Sequence, residues 1–298
     1  MIPIFLLFII SHVSYALLSP DFSGFQFNVT DLNTALSYRC RMESTASYTQ
    51  KVIHSHNPKT AGTTVNKFFR RESIRPFHLD TGHVSYSVFQ KKHNDPPGHP
   101  YIYVSILRYP QTRVLSYFHF IYHNRHRIPP QWRGDVIWEN AFKYKSLSKW
   151  LSTPSVRKYL SDEYSRILDA SVDAIDRVRT WSPVSVPNTF FQSTSHAPEH
   201  RQCHAHLRSA ALLLMRYTVV GITENMKETF WPLLFRRVSS LPQSEYNSAV
   251  NSSTGSNSKV KTEEEKAMVQ KELGDVLYCE RLLYEIAKAV NEADRKCS

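Results

Sequence analysis

The length, composition and charge of the chain limit the classes of protein to which it can belong. Its 298 residues suffice for one large domain or two small ones, and no internal repeat or linker divides residues 51–298, which excludes a repeat array. The formal net charge of +11 favours a polyanionic partner, because the summed positive field attracts negative charge over a long range.

An apolar N-terminal segment predicts entry into the secretory pathway. Residues 1–18 are almost continuously apolar, which fits either a type II signal anchor or a signal peptide cleaved near Ala16. The sequons at Asn28 and Asn251 predict glycosylation in the same pathway. A lumenal location argues against nucleic acid as the polyanion and favours a sulfated or carboxylated glycan. Residues 19–50 are interpreted as a lumenal stem.

The segment that follows the stem has the pattern of an anion-binding loop. A short strand is predicted at residues 51–55, followed by a turn and then by a helix from Val65. A helix start presents unpaired backbone N–H groups and a positive dipole end, which suit a phosphate or sulfate. The lysine precedes the glycine, so the turn is not a Walker A loop. The predicted binding loop consists of Lys59, Thr60, Ala61, Gly62, Thr63 and Thr64.

This loop resembles the 5′-phosphosulfate-binding loop of sulfotransferases that use 3′-phosphoadenosine 5′-phosphosulfate (PAPS). It has the Pro-Lys-Thr-Ala-x-Thr form of the Golgi uronosyl 2-O-sulfotransferases. The resemblance implies an α/β fold, related to the P-loop kinases, in which helices flank a central, mostly parallel sheet. It also implies that residues 51–298 are a catalytic domain in the Golgi lumen, that PAPS is a co-substrate, and that Lys59 stabilises the leaving phosphate.

The motif Gly82-His83-Val-Ser-Tyr86 carries the predicted catalytic base. It resembles a stretch of the heparan sulfate 2-O-sulfotransferases in which the histidine takes the proton of the acceptor hydroxyl, and it implies that role for His83. Histidine suits the role because it titrates near working pH. Among the 14 histidines, His78 is the alternative base. His54 and His56 could share a strand face, but no carboxylate or cysteine stands nearby at ligand spacing, and no metal site is predicted.

A second phosphate-binding element is predicted at residues 101–122. The apolar run Tyr101–Leu107 predicts a buried strand, and Pro110 starts a helix. Arg108 therefore lies at the carboxyl end of a strand, where open α/β sheets bind ligands. The pattern Ile-Leu-Arg-x-Pro-x-x-Arg-Val-Leu-Ser-Tyr resembles the 3′-phosphate element of the same sulfotransferases, which implies that Arg108 and Ser116 hold the 3′-phosphate.

Two basic clusters are candidate contacts for the polyanionic acceptor. Arg125 and Arg127 end the helix that begins at the 3′-phosphate element, and Lys91 and Lys92 lie upstream of it. A solvated charged surface is the alternative interpretation of each cluster.

The C-terminal part of the chain is expected to complete the domain. Residues 217–223 predict a strand, which resembles a supporting strand of the family, and a helix that Pro232 kinks or divides follows it. A turn-rich loop is predicted from Asn251. Thr262 and Glu265 form a capping-box signature at the start of a long helix with an interruption near Gly274.

The cysteine count permits two disulfides in an oxidising compartment. Relatives have a second cysteine near Cys203, where this chain has Gln192–Ser195, so the pairing stays open. The oligomeric state also stays open, with a homo-oligomer among the options. The cysteines are Cys40, Cys203, Cys279 and Cys297.

The implied function is transfer of a sulfuryl group from PAPS to a glycosaminoglycan, with the 2-hydroxyl of a uronic acid in heparan sulfate as the expected acceptor. One alternative is another acceptor, either the 6-hydroxyl of glucosamine or a dermatan or chondroitin chain. A second alternative is a phosphoryl-transfer enzyme on a related fold. It would need a Walker-type lysine and an acid that binds a metal, and the sequence shows no such loop. A glycosaminoglycan-binding protein without activity would have no need of Lys59, His83, Arg108 and Ser116 together.

Overall fold

The structure is a computed structural model that describes part of the chain. The predicted anchor or signal, residues 1–18, and the predicted stem, residues 19–50, lie outside this part. None of the described helices is long and apolar enough to cross a membrane. The described residues are 52–71, 78–80, 102–124, 136–161, 163–168, 210–211, 213–214, 219–238, 241–252 and 262–296.

Four parallel strands form the sheet of the described region, in the order β2-β1-β3-β4. They are β1 (Val52–Ser55), β2 (His78–Asp80), β3 (Ile102–Leu107) and β4 (Val219–Ile222). Every residue of β1, β3 and β4 is buried, as expected for parallel strands that are covered on both faces. The predicted α/β character, with a parallel sheet, is confirmed.

The strand order creates a switch point between β1 and β3. The chain leaves β1 for β2 on one side of the sheet, whereas it leaves β3 for β4 on the other side. In open α/β sheets, ligands bind in the crevice at the carboxyl ends of the two strands where the order reverses. The topology therefore predicts a ligand-binding crevice at the residues that follow Ser55 and Leu107.

Helices surround this sheet. A 3₁₀ turn, Thr223–Asn225, and a π-helical turn, Met226–Phe230, connect β4 to the next helix. The α-helices of the described region are α1 (Gly62–Phe69), α2 (Pro110–Asn124), α3 (Val136–Tyr144), α4 (Leu147–Leu151), α5 (Pro154–Leu160), α6 (Glu163–Ile167), α7 (Trp231–Arg237), α8 (Tyr246–Ser252), α9 (Glu263–Leu273) and α10 (Tyr278–Lys296).

One hydrophobic cluster joins a face of the sheet to α1 and α7. Phe68 of α1 packs edge-on against Trp231 and Phe235 of α7, with ring centroids 5.1 and 5.6 Å apart. Val104 and Ile106 of β3 are fully buried in the same cluster. Burying a large apolar side chain contributes about 1.5–3 kcal/mol, so this cluster fixes α1, and with it the loop that precedes α1, against the sheet.

A second cluster joins α2 to α3, α4, α5 and α9, and it contains no strand residue. Phe118 of α2 packs against Trp150 of α4, with ring centroids 5.4 Å apart. The second cluster therefore holds α2 through contacts with neighbouring helices.

The C-terminal predictions are confirmed in part. Thr262 and Glu265 form the predicted capping box at the start of α9. The chain then breaks near Gly274, as predicted, and α10 begins at Tyr278 as a separate helix. The turn-rich loop was predicted to begin at Asn251, and this boundary is wrong because α8 continues through Ser252.

Candidate functional site

The carboxyl ends of β1 and β3 lie side by side and carry the two predicted anion-binding elements. Ser55 of β1 pairs with Ser105 of β3, so the loop after β1 and the chain after β3 leave the sheet at the same edge. Nη1 of Arg108 donates a hydrogen bond to the backbone oxygen of Lys59 at 3.2 Å. The structure thus brings Lys59 and Arg108, which are 49 residues apart, into direct contact.

The loop between β1 and α1 has an unusual backbone. Lys59 and Ala61 have φ angles of 62° and 66°, in the left-handed region, which costs a residue with a Cβ roughly 1–2 kcal/mol. Two buried hydrogen bonds hold this conformation: Thr60 Oγ1 donates to the oxygen of Asn57 at 2.8 Å, and Asn57 Nδ2 donates to Ser105 Oγ at 2.9 Å. Thr60 is buried, so its hydroxyl supports the loop from within.

The first turn of α1 presents donors at the same edge. Its N-cap residue is Ala61, whose methyl group cannot accept hydrogen bonds from the first amides of the helix. Thr63 is exposed and Thr64 is half-buried in this turn. Backbone N–H groups and threonine hydroxyls are the donor set that suits a phosphate or sulfate at a helix start.

Gly62 is required by the packing of a histidine. The ring of His56 occupies the place of a Cβ on Gly62, since its nearest atoms would lie 2.0 Å from that carbon. Asn66 fixes the ring, because its side chain bonds Nδ1 of His54 at 2.7 Å and Nδ1 of His56 at 3.2 Å. The two imidazoles stack with centroids 5.3 Å apart. The packing of His56 therefore leaves room only for a glycine at this position of the predicted binding loop.

Gly62→Ala is expected to destabilise the fold by roughly 1–3 kcal/mol, because the new methyl group collides with the ring of His56. Denaturant unfolding measures the change. The control is the double variant Gly62→Ala with His56→Ala, in which the collision is absent, so the two changes should cost less together than their sum. Strict additivity would contradict this account.

Lys59 is a half-buried cation beside a second cation. Its Nζ lies 3.7 Å from the centroid of the Phe120 ring of α2, and that ring forms a T-shaped pair with Trp138, with centroids 5.7 Å apart. Burial, and then the charge of Arg108, lower the pKa of Lys59 to about 8. Burial also lowers the pKa of Arg108, while Glu224 and Tyr164 oppose that shift. A bound anion would relieve the repulsion between the two cations.

Anion binding at this loop is expected to weaken above about pH 8, because the free protein then loses the charge of Lys59. A bound phosphate or sulfate stabilises the ammonium form and raises its pKa again, so binding at higher pH takes up a proton. The dissociation constant should rise by up to about tenfold per pH unit in this range. Calorimetry with adenosine 3′,5′-bisphosphate from pH 7 to pH 9 measures this slope, and Lys59→Gln should flatten it. An equal slope in that variant would assign the proton to another group.

One face of α2 connects the two cations. Thr112 Oγ1 accepts a hydrogen bond from Nε of Arg108 at 3.3 Å, and Phe120 lies under Lys59. Ser116 is half-buried midway between Thr112 and Phe120. Residues four apart share a helix face, so Ser116 lies on the side of α2 that contacts both cations. The structure thus brings Lys59, Arg108 and Ser116 to one region, and their roles stay predictions.

Glu224 covers the N-terminus of α2. Its carboxylate accepts hydrogen bonds from the backbone N–H of Tyr109 at 3.0 Å, from Thr112 Oγ1 at 3.2 Å and from the hydroxyl of Tyr284 at 3.3 Å. The start of α2 therefore carries a carboxylate of the chain itself, in contrast to the start of α1. Sequence reasoning missed this role, although a carboxylate directly after the predicted strand at residues 217–223 was an available signal.

Several predicted residues lie outside the described part of the chain: His83, Lys91, Lys92, Arg125, Arg127 and Asn28. Asn251 is exposed in the last turn of α8. Cys279 is disulfide-bonded, and since it is the only cysteine in the described ranges, its partner lies outside them. These predictions of roles stay predictions.

Within the described ranges, no group of three or more His, Cys, Asp or Glu side chains is placed to hold a metal ion.

Comparisons with protein-family models and with curated proteins find no significant match for this chain. Function is therefore inferred from the motifs and from the geometry of the edge formed by β1 and β3.

Proposed function

We propose that this protein is a PAPS-dependent carbohydrate sulfotransferase with the P-loop-kinase-like sulfotransferase fold. The observation that carries the proposal is the convergence of Lys59 and Arg108 at the switch point of the parallel sheet, where Nη1 of Arg108 lies 3.2 Å from the backbone oxygen of Lys59. Two cations that come together at a helix start suit a donor with two separated anionic groups, and PAPS has its phosphosulfate on one side of the ribose and its 3′-phosphate on the other.

In the proposed mechanism each residue has one task. His83 removes the proton of the acceptor hydroxyl, whose oxygen attacks the sulfur of PAPS. The bond between sulfur and the bridging phosphate oxygen breaks, and the electron pair passes to the phosphate. Lys59, with the first amides of α1 and the hydroxyls of Thr63 and Thr64, stabilises the charge on that phosphate. Arg108 and Ser116 hold the 3′-phosphate, and so they orient the donor.

The proposed acceptor is the 2-hydroxyl of a uronic acid in heparan sulfate, which the motif at Gly82–Tyr86 favours. The net charge of +11 agrees with a polyanionic acceptor. Lys91, Lys92, Arg125 and Arg127 are the proposed contacts to that chain, and the proposed location is the Golgi lumen, with the N-terminal segment at the membrane.

One assay tests the activity and the acceptor together. The purified full-length chain is incubated with PAPS that carries radiolabelled sulfate and with a panel of desulfated glycosaminoglycans, and the labelled disaccharides are mapped. Label on the 2-position of a uronic acid in heparan sulfate is expected. Label on glucosamine, or on dermatan or chondroitin, would retain the enzyme class and change the acceptor. Absence of label from every chain would contradict the proposal.

Arg108→Ala is expected to weaken binding of adenosine 3′,5′-bisphosphate by roughly 2–4 kcal/mol, the scale for losing one partner of a buried charged contact. Calorimetry on the purified chain measures the affinity. The matched control is Arg71→Ala, since Arg71 lies just beyond the far end of α1 and pairs with Glu245. Equal affinities of the Arg108 variant and the wild-type protein would remove Arg108 from the site.

A further inference from the structure

A single tyrosine hydroxyl holds both backbone polar groups of Arg108. The hydroxyl of Tyr164, in α6, accepts a hydrogen bond from the backbone N–H of Arg108 at 3.0 Å and donates one to its backbone oxygen at 2.7 Å. The side chain of Tyr164 is fully buried. Arg108 directly follows the last residue of β3, where the pairing with β4 ends. The hydroxyl of Tyr164 therefore replaces a neighbouring strand as the hydrogen-bond partner of this backbone.

Tyr164 is itself fixed at its backbone and at its ring. The backbone N–H of Tyr164 donates to Oε1 of Glu280 in α10 at 2.8 Å. The guanidinium of Arg113 lies 4.7 Å from the centroid of the tyrosine ring and pairs with the carboxylates of Glu163 and Glu280. Burial raises the pKa of Tyr164 above its ordinary value, so the hydroxyl stays protonated and can both donate and accept. The clamp on Arg108 is therefore anchored in a buried network.

The side-chain contacts of Arg108 are weaker than the clamp on its backbone. Nε lies 3.3 Å from Thr112 Oγ1, and Nη1 lies 3.2 Å from the oxygen of Lys59. These distances exceed the mode for N–H···O hydrogen bonds. Because the guanidinium sits at the end of a long side chain, a small rotation of the backbone would displace it. Misplacement of a substrate-positioning group by about 1 Å can lower the reaction rate by about a hundredfold.

We infer that Tyr164 is a positioning residue for recognition of the 3′-phosphate: it fixes the backbone of Arg108 so that the guanidinium stays directed at the edge formed by β1 and β3. This inference rests on the proposed function. Tyr164 acts through Arg108, and its effect should therefore appear with a nucleotide that has a 3′-phosphate and be absent with one that lacks it.

The experiment compares two nucleotides on purified full-length protein. Calorimetry gives the dissociation constants of adenosine 3′,5′-bisphosphate and adenosine 5′-monophosphate for the wild-type protein and for Tyr164→Phe. Loss of the hydroxyl is expected to raise the dissociation constant of the bisphosphate by about tenfold, which is the scale of a buried hydrogen bond. The dissociation constant of the monophosphate should change by less than about twofold.

The matched control is Tyr117→Phe. The hydroxyl of Tyr117 donates to Oε1 of Glu163 at 2.8 Å, so this variant also removes one buried hydroxyl from the same network, but it leaves the backbone of Arg108 untouched. It should lower the melting temperature and keep the wild-type ratio of the two affinities. A general loosening of the network would instead change the ratio in both variants and would overturn the inference.

The outcomes separate the inference from the proposed function. If the wild-type protein prefers the bisphosphate and Tyr164→Phe keeps that preference, the role of Tyr164 is wrong and the proposed donor stands. If the wild-type protein shows no preference for a 3′-phosphate, both fail. If Tyr164→Phe does not fold, amide hydrogen exchange in the wild-type protein decides: slow exchange at Arg108 supports the clamp, and fast exchange overturns it.

Discussion

Replacing Arg113 with methionine is expected to destabilise the protein by about 3–5 kcal/mol, the range for removing one partner of a buried ion pair. Arg113 is fully buried and pairs with both Glu163 and Glu280. Although burial works to lower it, Glu280 and two neighbouring tyrosines hold the pKa of Arg113 above its ordinary value. Without the guanidinium, two carboxylates would remain buried and uncompensated, and this is the main source of the cost.

Denaturant unfolding at two pH values tests this account. Uncompensated buried carboxylates take up protons as the pH falls, because burial raises their pKa, so the deficit of Arg113→Met should shrink between pH 8 and pH 5. The control is Arg157→Met, since Arg157 is partly exposed and lies 3.9 Å from Glu272, and such a surface pair contributes at most about 1 kcal/mol. A similar, small cost for both variants would contradict a central role for Arg113.

His83→Ala is expected to lower turnover by about 10²–10⁴ while the protein still binds adenosine 3′,5′-bisphosphate, because a positioned base serves the acceptor and not the donor. His83 itself lies outside the described residues. In the sequence it follows Asp80, the last residue of β2, by three positions. The carboxyl end of β2 lies at the same edge as the ends of β1 and β3, since the strands are parallel.

His78→Ala is the matched control. His78 is the first residue of β2 and pairs with Val52 at the start of β1, so its backbone lies toward the opposite edge of the sheet. Turnover with saturating donor and acceptor is measured for both variants alongside nucleotide affinity. Normal turnover of His83→Ala with loss in His78→Ala would reassign the base, and normal turnover of both would bring the proposed chemistry into question.

The parts of the site that the sequence predicts are those encoded locally. The loop from Lys59 to Thr64 and the strand that ends before Arg108 each occupy one short segment, and hydrophobic pattern with turn chemistry is enough to recognise them. Their contact across 49 residues also follows, since parallel strands place their carboxyl ends at one edge.

The parts that the sequence does not predict depend on distant partners. Tyr164 reaches Arg108 across 56 residues, and Arg113 reaches Glu280 across 167. Arg113 even lies inside the motif that carries Arg108 and Ser116, yet a charged residue in a helix is expected to be solvated unless its partner is known. Only the packing of α6 and α10 against α2 reveals that partner.

The lowered pKa of Lys59 also makes this side chain a site for selective covalent modification. Because its pKa is lowered to about 8, much more of this amine is uncharged, and therefore nucleophilic, near neutral pH than in an ordinary lysine. An acylating or sulfonylating reagent shaped like the donor would meet a reactive amine just where the leaving phosphate is proposed to lie. Selective covalent inhibitors of this protein can accordingly be designed around a lysine rather than a cysteine.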